Sequence, residues 1–151
     1  MSAPKKPSRA WQYYIDADGI FWHDGSELDD PELLHFFMEK MKCAQDGILQ
    51  LMCQGELCTF KCEDVPYVVQ SFDEVKEGLQ LNFPGNYHEI LDASTLKVGK
   101  ENVLYCKVKK GEFDARFSRK AYLELAKKVV QKSEGYFLQL QGQSYPIKGI
   151  R

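Results

Sequence analysis

Three of the chain's five cysteines, Cys53, Cys58 and Cys62, fall within GILQLMCQGELCTFKC, residues 47–62. Thiols that close together can hold a metal or exchange electrons. Zinc takes four ligands, usually from paired C-x-x-C knuckles. Here the spacings are C-x4-C and C-x3-C, and no fourth ligand follows. Redox work needs a thiolate stabilised by a helix N-terminus or a basic neighbour, and the stretch offers neither. A Cys53–Cys58 disulfide across a hairpin is conceivable and depends on the Cα spacing. Asp16, Asp18 and Glu27 occupy the first, third and twelfth places of a calcium loop in DADGIFWHDGSE. The fifth and sixth places are Ile20 and Phe21, where a ligand and a turn glycine are required. His23, His35 and His88 are isolated in sequence, and a lone histidine is more often structural than catalytic. There is no H-E-x-x-H, G-x-S-x-G, Walker lysine loop or dinucleotide glycine fingerprint. The sequence names no reaction and asks for no metal and no cofactor.

Carboxylates are the remaining chemistry. Asp24, Glu27, Asp29, Asp30 and Glu32 gather ahead of a helix, where acidic groups meet the positive helix end as a solvated cap. In CEDVPYVV, residues 62–69, Glu63 and Asp64 precede Pro66 at a bend. Two readings stand: an Asx-type turn ahead of the proline, or a carboxylate pair at the mouth of a cleft. Lys107, Lys109 and Lys110 surround a turn and read as an exposed strand face.

The elements that position these groups follow from periodicity. WQYYIDADGIFWHD, residues 11–24, is a hairpin about Asp18-Gly19. Asp30 caps, Pro31 opens and Glu32 supports a helix over 31–45, with a stripe of Leu33, Phe36, Phe37, Lys40, Met41 and Ala44. The cysteine stretch alternates with period two. A type II′ turn at Gly55-Glu56 sets Cys53 against Cys58, Leu51 against Phe60 and Leu49 against Cys62, all on one apolar face. That hairpin accounts for the cysteines without chemistry. A second hairpin about Lys110-Gly111 pairs Val108 with Phe113 and Cys106 with Ala115. Ser118 then caps a helix through RKAYLELAKKVVQK, with Glu124 and Lys128 as an i,i+4 pair, and GYFLQLQGQSYPIKG turns at Gly142-Gln143.

The expected fold class is α+β. Two hairpin-helix-hairpin (ββαββ) repeats, residues 11–65 and 103–151, are joined by a central antiparallel β segment, 66–102, and residues 1–10 form a disordered tail. Twenty Lys and Arg against 22 Asp and Glu, and a pI near 5.9, leave no global field to recruit nucleic acid or an anionic membrane. No apolar run is long enough to span a bilayer and no secretory h-region follows the basic N-terminus. With an odd number of cysteines, the expected compartment is the cytoplasm.

The order of DADGIFWHDGSEL, LLHFFMEKM, CEDVPYVV, LQLNFPGNYHEI, EFDARFSRKAYLELA and GYFLQLQGQSYPI resembles the bacterial proteins grouped as domain of unknown function 1285 (DUF1285). YYIDADGIF and FKCEDVP are also similar to a second uncharacterised family of animals and bacteria. Cys53, Cys58 and Cys62 depart from the first family's usual strand residues, so any cysteine function is peculiar to this chain. The resemblance implies an α+β fold of repeated motifs and a role in signalling or small-ligand binding, with no established activity. Carried over position by position, it makes Glu63, Asp64, Tyr67 and Arg116 the candidate ligand-binding residues.

Three functions follow as expectations. The first is a non-enzymatic small-ligand-binding or regulatory module; with Glu63 and Arg116 facing a cleft between packed units, its partner is a small polar ligand. Tyr14, Trp22 and Tyr87 are aromatics that such a cleft would use. The second is a protein-interaction domain, a homodimer through an exposed hairpin edge. The third is an enzyme with Glu63 or Asp64 as general base, which requires a buried carboxyl beside a pocket.

Overall fold

The computed structural model describes residues 11–149, and the tail expected at 1–10 lies outside them. Strands dominate. β1 (Trp11–Ile15), β2 (Phe21–His23) and β3 (Ser26–Leu28) lead to helix α1 (Pro31–Lys40), then β4 (Lys42–Cys43), β5 (Leu49–Cys53) and β6 (Glu56–Cys62). A middle segment follows with β7 (Tyr67–Val69), β8 (Ser71–Val75), β9 (Gly78–Phe83), β10 (Tyr87–Ile90) and β11 (Lys97–Val98). The last third holds β12 (Leu104–Val108), β13 (Phe113–Phe117), helix α2 (Arg119–Ala126), β14 (Val129–Lys132), β15 (Gly135–Leu140), β16 (Gln143–Pro146) and β17 (Lys148–Gly149).

β1 runs parallel to β6, which welds the first two hairpins into a six-stranded sheet ordered β3-β2-β1-β6-β5-β4. α1 covers one face of it. Phe37 meets the rings of Tyr13, Phe21 and Phe60 there, and Leu34, Met38 and Met41 are buried beside it. The buried stripe is thus Leu34, Phe37, Met38 and Met41, whereas Leu33 and Phe36 of the expected stripe are only partly covered. Asp30 caps as expected, accepting from the backbone N–H groups of Glu32 and Leu33. The helix ends at Lys40 rather than 45 because Lys42–Cys43 leaves it to pair with β5.

The cysteine hairpin corrects a register. Leu49 opposes Phe60, Leu51 opposes Cys58 and Cys53 opposes Glu56, because the turn is Gln54-Gly55, both with positive φ (52° and 79°). That is the type I′ requirement, with glycine second rather than first. Gln141-Gly142 (51° and 79°) repeats it in place of the expected Gly142-Gln143 turn, so Leu138 faces Tyr145 and Leu140 faces Gln143. Asp24-Gly25 (51° and 80°) does the same between β2 and β3, one hairpin more than expected. The hairpin about Lys110-Gly111 has the expected pairs, Val108 with Phe113 and Cys106 with Ala115.

The two expected ββαββ copies share a local order but not a sheet arrangement. β11 and β7 take the two edges of the β12–β13 hairpin, giving the order β17-β11-β12-β13-β7. β16 therefore cannot join β12 as β6 joins β1, and β14-β15-β16 stands as a separate sheet; β10-β9-β8 makes a fourth. α2 stops at Ala126 because the β-branched pair Val129-Val130 enters β14, and Lys128 reaches Glu74 (2.5 Å) while Glu124 pairs with Lys127 (2.7 Å). One hydrophobic core runs through all three parts of the chain, from Tyr13 and Ile15 through Tyr67 and Leu81 to Leu138 and Leu140.

Candidate functional site

The bend after β6 separates the two neighbouring carboxylates. Asp64 turns inward, where its Oδ2 accepts from Arg116 Nη1 (2.7 Å) and from the Tyr105 hydroxyl (2.6 Å). The sheet order dictates this meeting: Arg116 on β13 stands between Val68 of β7 and Tyr105 of β12, and Asp64 lies just ahead of β7. Side-chain exposure is 13 % for Asp64 and 18 % for Arg116, so the pair is largely desolvated and charge-assisted. Burial first, then the hydrogen bond to Asp64 and its charge, push the Tyr105 phenol up to about 12 against the opposing pull of Arg116. Gly99 makes room for that ring; a Cβ there would stand 2.6 Å from Tyr105 Cε2. Tyr105 carried no motif in the sequence, because only the β12–β13 register brings it to the ion pair.

Glu63 turns to the other side. It is exposed, and its Oε1 accepts from the Ala17 backbone N–H (3.1 Å), holding the β1–β2 turn. Tyr67 is fully buried; its hydroxyl donates to the Met38 carbonyl (2.5 Å) at the end of α1. The same carbonyl and that of Glu39 receive the Lys109 ammonium (3.0 and 2.6 Å), which also lies over the Tyr67 and Tyr87 rings. A cation at a helix C-terminus is favoured by the helix dipole, and here it comes from the β12–β13 turn. Burial pulls the Lys109 ammonium below its ordinary range and pushes the phenols of Tyr67 and Tyr87 upward; Tyr87 also donates to Glu89. Of the four candidates, the structure brings together Asp64 and Arg116 and leaves Glu63 and Tyr67 apart.

The other chemical suspects are in structural use. Asp16 Oδ1 accepts from the N–H groups of Asp18 (2.9 Å) and Ile20 (3.0 Å) and its Oδ2 from the Trp22 indole (3.0 Å), which is why a calcium-loop spacing appears there. Burial, then the nearby Cys53 and Glu56, push the Cys58 thiol up to about 11, and burial pushes Cys106 up to about 12. Both shifts oppose thiolate formation. All five cysteines are free thiols. Among the described residues, no group of three or more His, Cys, Asp or Glu side chains is arranged to hold a metal. No helix among them is long and apolar enough to cross a membrane.

A pocket of about 280 Å³ lies on the solvent face of the first sheet, lined by Gln12, Tyr14, Trp22, Asp24, Thr59 and Lys61. The pairing builds it. Glu27, Trp22, Tyr14 and Lys61 form one row across β3, β2, β1 and β6, and Gln12 opposes Thr59 in the next. Glu63, in the bend after β6, reaches the β1–β2 turn at the Ala17 N–H. Tyr14 is 42 % exposed. Two larger depressions are plainer: one of about 470 Å³ beside Phe36, Lys40, Met52 and Leu57, and one of about 550 Å³ on the outer side of α2.

No family model matches the chain, and no curated protein matches it. Two solved structures are similar. The crystal structure of a DUF1285 family protein from Silicibacter pomeroyi DSS-3 superposes with a TM-score of 0.69 over 97 % of this chain and 90 % of the other, at 15 % identity. That of a DUF1285 family protein from Shewanella baltica OS155 gives 0.61 over 76 % and 90 %, at 18 % identity. The sheets, helices and turns described above therefore make up the fold seen in DUF1285 family proteins.

Proposed function

We propose that this chain is a non-enzymatic binding module that takes a small polar ligand with a flat apolar side on the open face of its first sheet. The observation that carries the reading is the pocket itself: Tyr14 and Trp22 line it with aromatic side chains, and Gln12, Thr59, Asp24 and Lys61 bring polar groups around them. Small-ligand sites combine apolar walls with a few convergent polar groups in this way. The sheet, with α1 packed behind it, sets Tyr14 and Trp22 side by side, and the Trp22 indole is held by Asp16. Glu63, expected at a ligand site, stands beside this face at the β1–β2 turn, whereas Arg116 is paired with Asp64. A general-base role finds less support, since Asp64 already accepts from two donors and Glu63 is exposed.

The test is a fragment screen on the ¹⁵N-labelled protein, reading the Trp22 indole cross-peak and the amides of β1, β2 and β6. Binders should move those signals and lose their effect in a Tyr14→Ser variant. Fragments that move only signals elsewhere, or that bind Tyr14→Ser as well as wild type, would overturn the proposal.

A further inference from the structure

Resting on that reading, we infer that the open-face pocket selects a small organic cation, an alkylammonium or guanidinium compound, over a neutral molecule of the same shape. Two features of different origin converge. Aromatic ring faces carry negative quadrupole potential and attract a cation within about 6 Å, and Tyr14 and Trp22 are cross-strand neighbours on this face. Around them stand carboxylates from separate elements: Asp16 in the β1–β2 turn, Asp24 in the β2–β3 turn, Glu27 opposite Trp22, and Glu63 after β6. The lining itself holds one carboxylate, Asp24, and one ammonium, Lys61; Asp16, Glu27 and Glu63 stand around it and add three negative charges. Partial desolvation, and after it the charges of Glu63 and Asp16, raise the Tyr14 phenol above its ordinary value. Those two carboxylates thus act on the ring that a ligand would meet. Their fixed hydrogen bonds keep them there: Glu63 is held by the Ala17 N–H, and Asp16 by two backbone N–H groups and the Trp22 indole. An anionic ligand would face this field unpaired except at Lys61.

Choline and 3,3-dimethyl-1-butanol separate charge from shape, since the second replaces the quaternary nitrogen by carbon. Both are titrated into the ¹⁵N-labelled full chain while the Trp22 indole cross-peak is followed. Choline should bind roughly tenfold or more tightly than its neutral isostere, and the ratio should shrink with added salt. Glu63→Gln combined with Asp24→Asn, both at exposed side chains, should cut the ratio to about threefold or less. Equal affinity for the two probes overturns the cation inference and leaves the pocket reading standing. Choline shifts confined to another surface overturn it as well. If choline fails while neutral fragments bind this face, the inference alone falls; if no probe or fragment moves these signals, both readings fall.

Discussion

Replacing Asp64 by Asn tests the latch that joins the end of the first sheet to the β12–β13 hairpin. Removing one partner of a fully buried ion pair costs about 3–5 kcal/mol, because the other charge stays buried and unpaired. Asp64 and Arg116 keep 13 % and 18 % side-chain exposure, and that partial screening lowers the cost to about 2–3 kcal/mol. The guanidinium has little to fall back on, since its Nε is already buried without a partner. Tyr105 also loses its charged acceptor, although an Asn carbonyl oxygen, with two lone pairs, can still accept from both donors. Urea unfolding followed by tryptophan fluorescence measures the effect. With m near 1–3 kcal/mol/M for a chain of this size, the midpoint should fall by roughly 1–2 M at constant m. A double variant, Asp64→Leu with Arg116→Met, should recover much of the loss, because apolar replacement of both partners removes the stranded charge. A loss below about 0.5 kcal/mol for Asp64→Asn would refute the latch. So would a double variant whose loss equals the sum of its two single losses, since that sum means no coupling.

Gly85→Ala should be among the most damaging single changes, at least about 2 kcal/mol by thermal or urea unfolding: Gly85 has φ 74°, and a Cβ would stand 2.2 Å from the His35 nitrogen in α1. Lys109→Met should cost about 1–2 kcal/mol through the lost α1 cap and ring contacts, and Tyr67→Phe about 1 kcal/mol through the hydrogen bond to Met38; losses below a few tenths in both would remove the cap from the account of stability. Alkaline pH should destabilise the fold from about pH 9 upward. Cys58 and Cys106 rise from an ordinary 9.0 to about 11 and 12, and Tyr13 and Tyr105 from 10.0 to about 12. Groups whose folded values are raised contribute fully below their unfolded values and lose that contribution as pH climbs to the folded ones. Melting temperatures recorded between pH 8 and 11 should therefore decline, less steeply in Tyr105→Phe, and a flat profile would contradict the assignment.

Much of this architecture is written locally. Asp30, Pro31 and Ser118 mark both helix starts, and strand alternation assigns Leu49, Leu51, Cys58 and Phe60 to one face even though the expected turn at Gly55-Glu56 lies one residue late. The face survives because moving a two-residue turn by one position shifts every pair by two, and side-chain direction has period two. Glutamine in a left-handed turn position hid the type I′ geometry. Serine and acidic residues hid β3, although Asp24-Gly25 is the dipeptide that such a turn prefers. Helix ends were harder to read: Lys40 is followed by residues of good helix propensity, and only pairing with β5 stops the helix. For the sites, CEDVP marks the bend, whereas Tyr14 and Trp22, expected in a cleft between packed units, lie side by side on β1 and β2. The partnership of Asp64 with Tyr105 and Arg116 spans 41 and 52 residues and depends on which strands sit side by side. No local pattern encodes that neighbourhood.

The parallel pairing of β7 with β13 also sets an order of assembly during synthesis. The first sheet is complete once residue 62 has emerged, because β1 finds β6 within that length. Tyr67, Val68 and Val69, all fully buried in the finished fold, then appear with no partner until Ala115, Arg116 and Phe117 are made. Closing a long chain segment before its contacts form is slow, and an apolar strand waiting for its partner is where chains associate wrongly. A nascent chain stalled before Phe113 therefore displays a finished sheet beside a sticky, unpaired strand. The interval between those two syntheses is when this strand is most open to wrong association.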